Sequence, residues 1–419
     1  MIRNRTIYTL LLFLLLPYVA WRLLWRARRQ PAYRKHVGER FGFYTFLPRK
    51  PLIWIHAVSV GETRAAVPLV NALQTKYPNH QILITHMTPT GRETSESLFG
   101  ESVLRCYLPY DYPFAVQRFL RHFKPVLGIL METEIWFNLI HACGSKQIPL
   151  VLANARLSDK SAKKYARLPQ LTREALQTLE IISAQTEEDA MRLRQLGATS
   201  VVISGNLKFD ITPPDSAKIQ GDRLRQQFGA DRPVFLAAST REGEEALILE
   251  ALSHINIPHM LTVIVPRHPQ RFDEVAALLE KNGVQFQRKR DIQAVAPETQ
   301  VVLGDTMGEL FAYYGACDIA FIGGSLLPYG GQNLIEASAM GIPVLIGPYT
   351  FNFTDVAKQA IESGAAIRVE NFIELAEKTE ELLQSTPLRT QMRDAALHFS
   401  QAHRGATEKL IELTSPYLD

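Results

Sequence analysis

Beyond residue 50 the chain alternates short apolar runs with amphipathic stretches, and no other feature limits its fold so tightly. The runs at 52–58, 81–85, 103–108, 126–131, 149–153, 181–184 and 201–204 read as buried strands, with helical patterns such as 62–76, 114–123 and 187–196 between them. Such alternation implies βαβ units, because a parallel partner strand is reached only through a crossover of a dozen or more residues. At Asp210-Ile211-Thr212-Pro213-Pro214 the paired prolines end any regular element and mark a linker. The pattern restarts at 234–237, 261–265, 301–303, 319–322 and 343–346, then closes with helices near 372–383, 388–402 and 406–413. The fold class expected is α/β, with two Rossmann-like, doubly wound domains. The carboxyl ends of both sheets are expected to face one cleft, since doubly wound sheets bind ligands there. The expected limits are 31–212 and 213–419, with the C-terminal helices packing back over the cleft edge.

The first thirty residues form a separate segment. From Ile7 to Trp21 there is no charge, and Arg22, Arg26, Arg28 and Arg29 follow. A full membrane crossing needs about 20 apolar residues and a signal core only about 7–15, so the run lies between the two. No small-residue cleavage site follows it. Tyr18, Trp21 and Trp25 supply interfacial aromatics, and the arginines favour a cytoplasmic location for what comes after. An N-terminal membrane anchor helix over 1–30 is the expectation. Charge agrees: residues 1–50 carry a net +10 and the remainder −6 within a total of +4. That asymmetry suits an anionic membrane surface better than nucleic acid, whose basic face would belong to the fold.

The three cysteines, Cys106, Cys143 and Cys317, are scattered, and no HExxH or cysteine cluster occurs, so neither a disulfide framework nor a metal is expected.

Polar residues gather where strands end. His56-Ala57-Val58-Ser59-Val60-Gly61-Glu62 places Glu62 at a strand-to-helix turn, where it either closes an S-x-x-E capping box or accepts a proton from a substrate hydroxyl. Met131-Glu132-Thr133-Glu134 places two acids at another strand end, as catalytic groups or as helix-start acids favoured by the dipole. Lys208, in Gly205-Asn206-Leu207-Lys208-Phe209-Asp210, is placed to offset charge on a leaving phosphate. In the second half, Ser239-Thr240-Arg241, Pro266-Arg267-His268 and Met307-Gly308-Glu309 each follow a strand, and Arg267 offers a two-pronged donor for phosphate. Finally, a glycine-rich loop with Gly323-Gly324 and Gly330-Gly331 leads into a helix expected over 333–340, with Asn333 as its cap and Glu336 one turn in. Glycines there let a backbone approach a ligand, and a helix start attracts phosphate; an ordinary strand–loop–helix is the alternative.

Taken in order, HAVSVGE, METEIW, GNLKFD, PRHPQRF, GDTMGEL and GGQNLIEASAMGIPVLIGP resemble the bacterial 3-deoxy-D-manno-octulosonic acid (Kdo) transferases of lipopolysaccharide synthesis, over nearly the whole chain. The resemblance implies a GT-B fold with an N-terminal acceptor domain and a C-terminal donor domain. It implies an inverting, lipid A-specific transfer of Kdo from CMP-Kdo to a lipid A precursor (lipid IVA) at the cytoplasmic side of the inner membrane, without cofactor or metal. Glu62 is then the base, and Glu132 and Lys208 stabilise the transition state. Pro266, Arg267, Met307, Gly308, Glu309, Asn333, Leu334, Ile335 and Glu336 contact CMP. The chain departs from the family at Phe137, where proline is common. Two other readings are a different GT-B enzyme, such as a UDP-sugar transferase or epimerase, and a non-catalytic, membrane-tethered nucleotide-sugar-binding protein.

Overall fold

A computed structural model describes residues 5–291 and 293–419, and these form two compact units. The first comprises the chain through Asp210 together with His403–Asp419. Its sheet has seven parallel strands: β1 (Leu52–His56), β2 (Gln81–His86), β3 (Leu104–Tyr107), β4 (Leu127–Met131), β5 (Leu150–Ala155), β6 (Ile181–Ala184) and β7 (Val201–Ile203), in the order β3-β2-β1-β4-β5-β6-β7. All of β1, β4 and β5 is buried, as expected for a parallel sheet covered on both faces. Alternate residues face opposite cores. Trp54, Leu83, Leu130 and Leu152 pack on one side, and Ile55, Ile84, Ile129 and Val151 on the other. Gly128 makes room for the indole: a Cβ there would lie 2.5 Å from a Leu150 methyl and 2.9 Å from the Trp54 ring.

The second unit, Ile211–Ala402, repeats the plan. Its strands are β8 (Val234–Thr240), β9 (Leu261–Pro266), β10 (Phe286–Arg288), β11 (Val301–Leu303), β12 (Ile319–Ile322), β13 (Val344–Ile346) and β14 (Ala366–Arg368), all parallel, in the order β10-β11-β9-β8-β12-β13-β14. Both units are therefore doubly wound, Rossmann-like sheets. In each, strand order reverses at mid-sheet, between β1 and β4 in the first and between β8 and β12 in the second, where β11 also folds back inside β10.

Four expectations are corrected. The strands β10 and β14 escape the pattern because neither is a purely apolar run: β10 lies in the polar run Gln285-Phe286-Gln287-Arg288, and β14 is Ala366-Ile367-Arg368. The helix read over 62–76 breaks into Val60–Ala65 and Val67–Lys76, since Pro68 has no N–H for a continuous ladder. The domain expected over 213–419 ends at Ala402. Ala406, Leu410 and Ile411 complete a core of the first unit, and Asp210 caps their helix by accepting the Gly405 N–H at 2.7 Å. Periodicity shows that this helix buries a face, but not against which sheet.

The fourth correction concerns the N-terminus, where two helices, Arg5–Leu14 and Leu16–Arg29, replace the single anchor helix; residues 1–4 lie outside the described residues. Pro17 breaks the run and the pair bends by 51°. Among the described residues no single helix is long and apolar enough to cross a membrane, although the bent pair together meets that length and composition. The first helix is docked on its own unit. The Tyr8 hydroxyl donates to Asp111 at 3.0 Å, the Tyr112 hydroxyl donates to the Leu12 carbonyl at 2.9 Å, and the Tyr8 ring meets Phe137 edge-on at 5.2 Å. Leu10, Leu14, Leu15, Tyr18, Trp21, Leu24 and Trp25 remain exposed.

Candidate active site

In the first unit the candidate groups converge at the carboxyl ends of β1 and β4, the point where strand order reverses and ligands bind in such sheets. After β1 the chain turns at Ser59, whose hydroxyl oxygen caps the next helix by accepting the Glu62 N–H at 3.4 Å. The Glu62 carboxylate reaches back, but past the position that a capping box would use. One oxygen accepts the Val58 N–H at 2.8 Å and the other the Ser59 hydroxyl, also at 2.8 Å. Glu62 is 8 % exposed. Burial raises its pKa to about 7; the hydrogen bonds from Val58 and Ser59 pull down, and the charges of Glu132 and Glu134 add to the rise. A carboxyl poised near neutrality and still slightly exposed has the protonation chemistry of a general base.

After β4 the backbone enters a left-handed conformation at Glu132, φ 57°, rare for a residue with a side chain and a feature that clusters at functional sites. The Glu132 N–H still bonds Ala153 O at 2.9 Å, so the turn is anchored to β5. The next helix, Phe137–Ser145, starts five residues later, so neither Glu132 nor Glu134 is a helix-start acid. Glu134 instead accepts the Trp136 indole N–H at 2.6 Å, and burial raises its pKa. Lys208 lies in the short turn Leu207–Asp210, where Asn154 of β5 accepts the Leu207 N–H at 3.0 Å. Its ammonium lies 3.6 Å from a Glu132 oxygen, with both side chains about a quarter exposed. Glu62, Glu132 and Lys208 thus form one cluster, with the Lys208 charge balanced by Glu132. Phe137 is the first residue of its helix, the position where proline is best tolerated, so phenylalanine there leaves the backbone path intact.

In the second unit the expected residues also lie at the carboxyl edge of the sheet. Pro266 ends β9 and the Arg267 N–H bonds Thr240 O at 2.9 Å. Met307, Gly308 and Glu309 follow β11; Met307 is exposed, and Gly308, φ 84°, has open space where a side chain would sit. Burial, then the charges of Arg241, Arg267 and Arg271, lower the pKa of His268. The helix expected over 333–340 is only Ile335–Ala339. Asn333 folds over its start, accepting the Ile335 N–H and donating to Glu336, both at 3.1 Å.

Sequence reasoning missed three features here. Ser239 is left-handed, φ 58°, at a bulge where β8 ends. Gly323 lies so close to it that a Cβ would fall 2.6 Å from Ser239 O. Glu244 and Glu245 are both buried, though in sequence they resemble solvated acids at a helix start. The N–H groups of Gly324, Ser325 and Leu326 all point to Glu244, not outward to a ligand. Among the described residues no group of three His, Cys, Asp or Glu side chains is placed to hold a metal ion.

Two Rossmann-like sheets with charged and polar groups at their carboxyl edges place the chain in the class of two-domain, doubly wound α/β proteins. A glycosyltransferase from Rickettsia africae shares the fold, with a TM-score of 0.58 over 88 % of this chain and 99 % of that one, at 16 % identity. Residues 35–211 match the family described as 3-deoxy-D-manno-octulosonic-acid transferase (kdotransferase), and 236–399 match glycosyl transferases group 1. The 3-deoxy-D-manno-octulosonic acid transferase of Haemophilus influenzae is 40 % identical over 99 % of both chains. That of Bordetella pertussis is 41 % identical over 99 % of this chain and 100 % of its own. The chain belongs to the 3-deoxy-D-manno-octulosonic acid transferase family.

Proposed function

We propose that this glycosyltransferase moves Kdo from CMP-Kdo to a sugar hydroxyl of a lipid A precursor, with inversion at the anomeric carbon. The observation that carries the mechanism is the Glu62 carboxylate, buried, aligned by Val58 and Ser59, and held near pH 7. Glu62 takes the proton from the acceptor hydroxyl as its oxygen attacks the anomeric carbon, and the bond to the CMP phosphate breaks. One displacement, through an oxocarbenium-like state, inverts the centre. Glu132 and Lys208, paired at 3.6 Å, offset charge as it redistributes between attacking and leaving groups. Pro266, Arg267, Met307–Glu309 and Asn333–Glu336 hold the CMP moiety, with Arg267 on its phosphate. CMP carries a single phosphate, so these groups suffice without a metal.

The N-terminal helix pair supports a place at the inner membrane, on the cytoplasmic side where its acceptor is presented. One face of the first helix is occupied by Asp111, Tyr112 and Phe137 of the protein itself, and the bend at Pro17 opposes a straight crossing. The exposed leucines with Trp21 and Trp25 then lie along the interface, one leaflet deep. The test of the function is release of CMP from CMP-Kdo on addition of an acylated, phosphorylated glucosamine disaccharide. Equal turnover of UDP-sugars would favour the rival sugar-nucleotide reading.

A further inference from the structure

The adjacent buried acids Glu244 and Glu245 are stabilised in different ways. Glu245 has a cation: Arg271 meets it with two N–H donors at 2.6 and 2.9 Å, and the Thr240 hydroxyl adds a third donor at 2.6 Å. Glu244 is met by backbone. One of its oxygens accepts the Arg241 N–H at 2.8 Å and the Gly324 N–H at 2.5 Å; the other accepts the Ser325 N–H at 2.9 Å and the Leu326 N–H at 3.0 Å. All four contacts are donors, so an ionised carboxylate fits and a protonated one would set its hydroxyl against an N–H. Successive N–H groups converging on one point form the kind of concavity that elsewhere holds a phosphate. Here the chain carries its own anion in that place.

We infer that Glu244 is a positioning residue for nucleotide binding: its carboxylate fills the backbone nest of the glycine loop and thereby sets the course of the segment that reaches Asn333–Glu336. The path is short. Gly324 O accepts the Gly331 N–H at 2.6 Å and Gly323 O accepts the Gln332 N–H at 3.0 Å, one residue before Asn333. Gly324, Gly330 and Gly331 all have positive φ (71°, 93° and 76°), so the loop follows no helical or strand ladder of its own and takes its shape from what its N–H groups bind. It follows that residues 323–326 are not the phosphate cradle. Arg241, whose N–H is held by Glu244 and whose guanidinium lies 4.6 Å from the Tyr329 ring, is fixed by the same contact.

The inference rests on the reading that the second unit binds CMP, and the experiment separates the two. Calorimetry with CMP and thermal unfolding are measured on full-length wild type, Glu244→Ala and Glu244→Gln, each with and without formate. Wild-type binding tests the CMP reading by itself; the variants test Glu244. Glu244→Ala is expected to bind CMP about tenfold or more weakly, the loss of a charge-assisted hydrogen bond or more. Formate, entering the vacated place, is expected to restore both affinity and melting temperature. Glu244→Gln keeps one acceptor oxygen but turns an NH2 against two N–H donors, so it weakens CMP binding and formate does not rescue it. Wild-type CMP affinity in either variant overturns the inference. So does formate that restores melting temperature while leaving affinity low, since the role is then structural alone. Should Glu244→Ala fail to fold, the Glu244→Gln affinity decides the question.

Discussion

Replacing Glu62 by glutamine separates the cap that the structure shows from the base that we propose, because the two need different things of the side chain. As a cap, Glu62 supplies an acceptor for the Val58 N–H and a partner for the Ser59 hydroxyl. Glutamine provides both, its carbonyl for Val58 and its NH2 for a Ser59 hydroxyl turned to accept. As a base, glutamine provides nothing, and turnover is expected to fall by about 10²–10⁴. Stability moves the other way. In the unfolded chain Glu62 ionises near 4.5 and in the folded one near 7, so wild type loses stability as pH rises between those values. At ~1.4 kcal/mol per pH unit the full loss is roughly 3 kcal/mol, complete above pH 7. The neutral amide has no such dependence, so Glu62→Gln should match wild type near pH 4.5 and melt higher at pH 8. The assay is turnover, CMP affinity and melting temperature on one preparation across pH. Near-normal turnover would remove Glu62 from the chemistry, and a pH-dependence of stability identical to wild type would show that Glu62 does not titrate near 7.

The remaining predictions follow from neighbouring groups. In wild type, kcat/KM rises about tenfold per pH unit below ~7 and levels above it. Lys208→Met leaves the Glu132 charge unbalanced beside Glu62 and moves that midpoint up, whereas Glu132→Gln moves it down; pH–rate profiles of both variants check the sign. Arg267→Ala weakens CMP binding by roughly 1.5–3 kcal/mol in calorimetry. Tyr8→Phe removes a donor from the buried Asp111 and costs about 1–3 kcal/mol in thermal unfolding. Trp21→Ala with Trp25→Ala, both exposed, reduces co-sedimentation with anionic vesicles and leaves the melting temperature unchanged.

Much of this architecture is legible in the chain because a buried parallel strand announces itself. Runs such as Leu52-Ile53-Trp54-Ile55 are apolar on both faces, and their ends locate the polar groups that follow. A strand without an apolar run lacks that signature, so Phe286–Arg288 and Ala366–Arg368, each ending in arginine, read as loop. The proximity of Glu62, Glu132 and Lys208 was legible because strand ends in doubly wound sheets share an edge. The 3.6 Å Glu132–Lys208 contact was not, because it depends on a left-handed turn that no side chain advertises. Glu244 is the clearest miss. An acid at a helix start is ordinarily solvated, and only the fold of residues 324–326 over it, with the Arg241 N–H beside them, reveals four N–H groups that need an anion. The C-terminal helix 406–414 shows the same limit at larger scale, since its apolar stripe fits either unit equally well as sequence.

Mass spectrometry of the lipid product tests the central claim most directly. Full-length protein is incubated with CMP-Kdo and a tetraacylated lipid A precursor, and Glu62→Gln is run beside it. The account predicts an acceptor heavier by one or more whole Kdo residues with wild type, and unmodified acceptor with Glu62→Gln at equal CMP affinity. Unmodified acceptor with a wild-type protein that binds CMP, or the same Kdo-bearing product at a similar rate from both proteins, would contradict it.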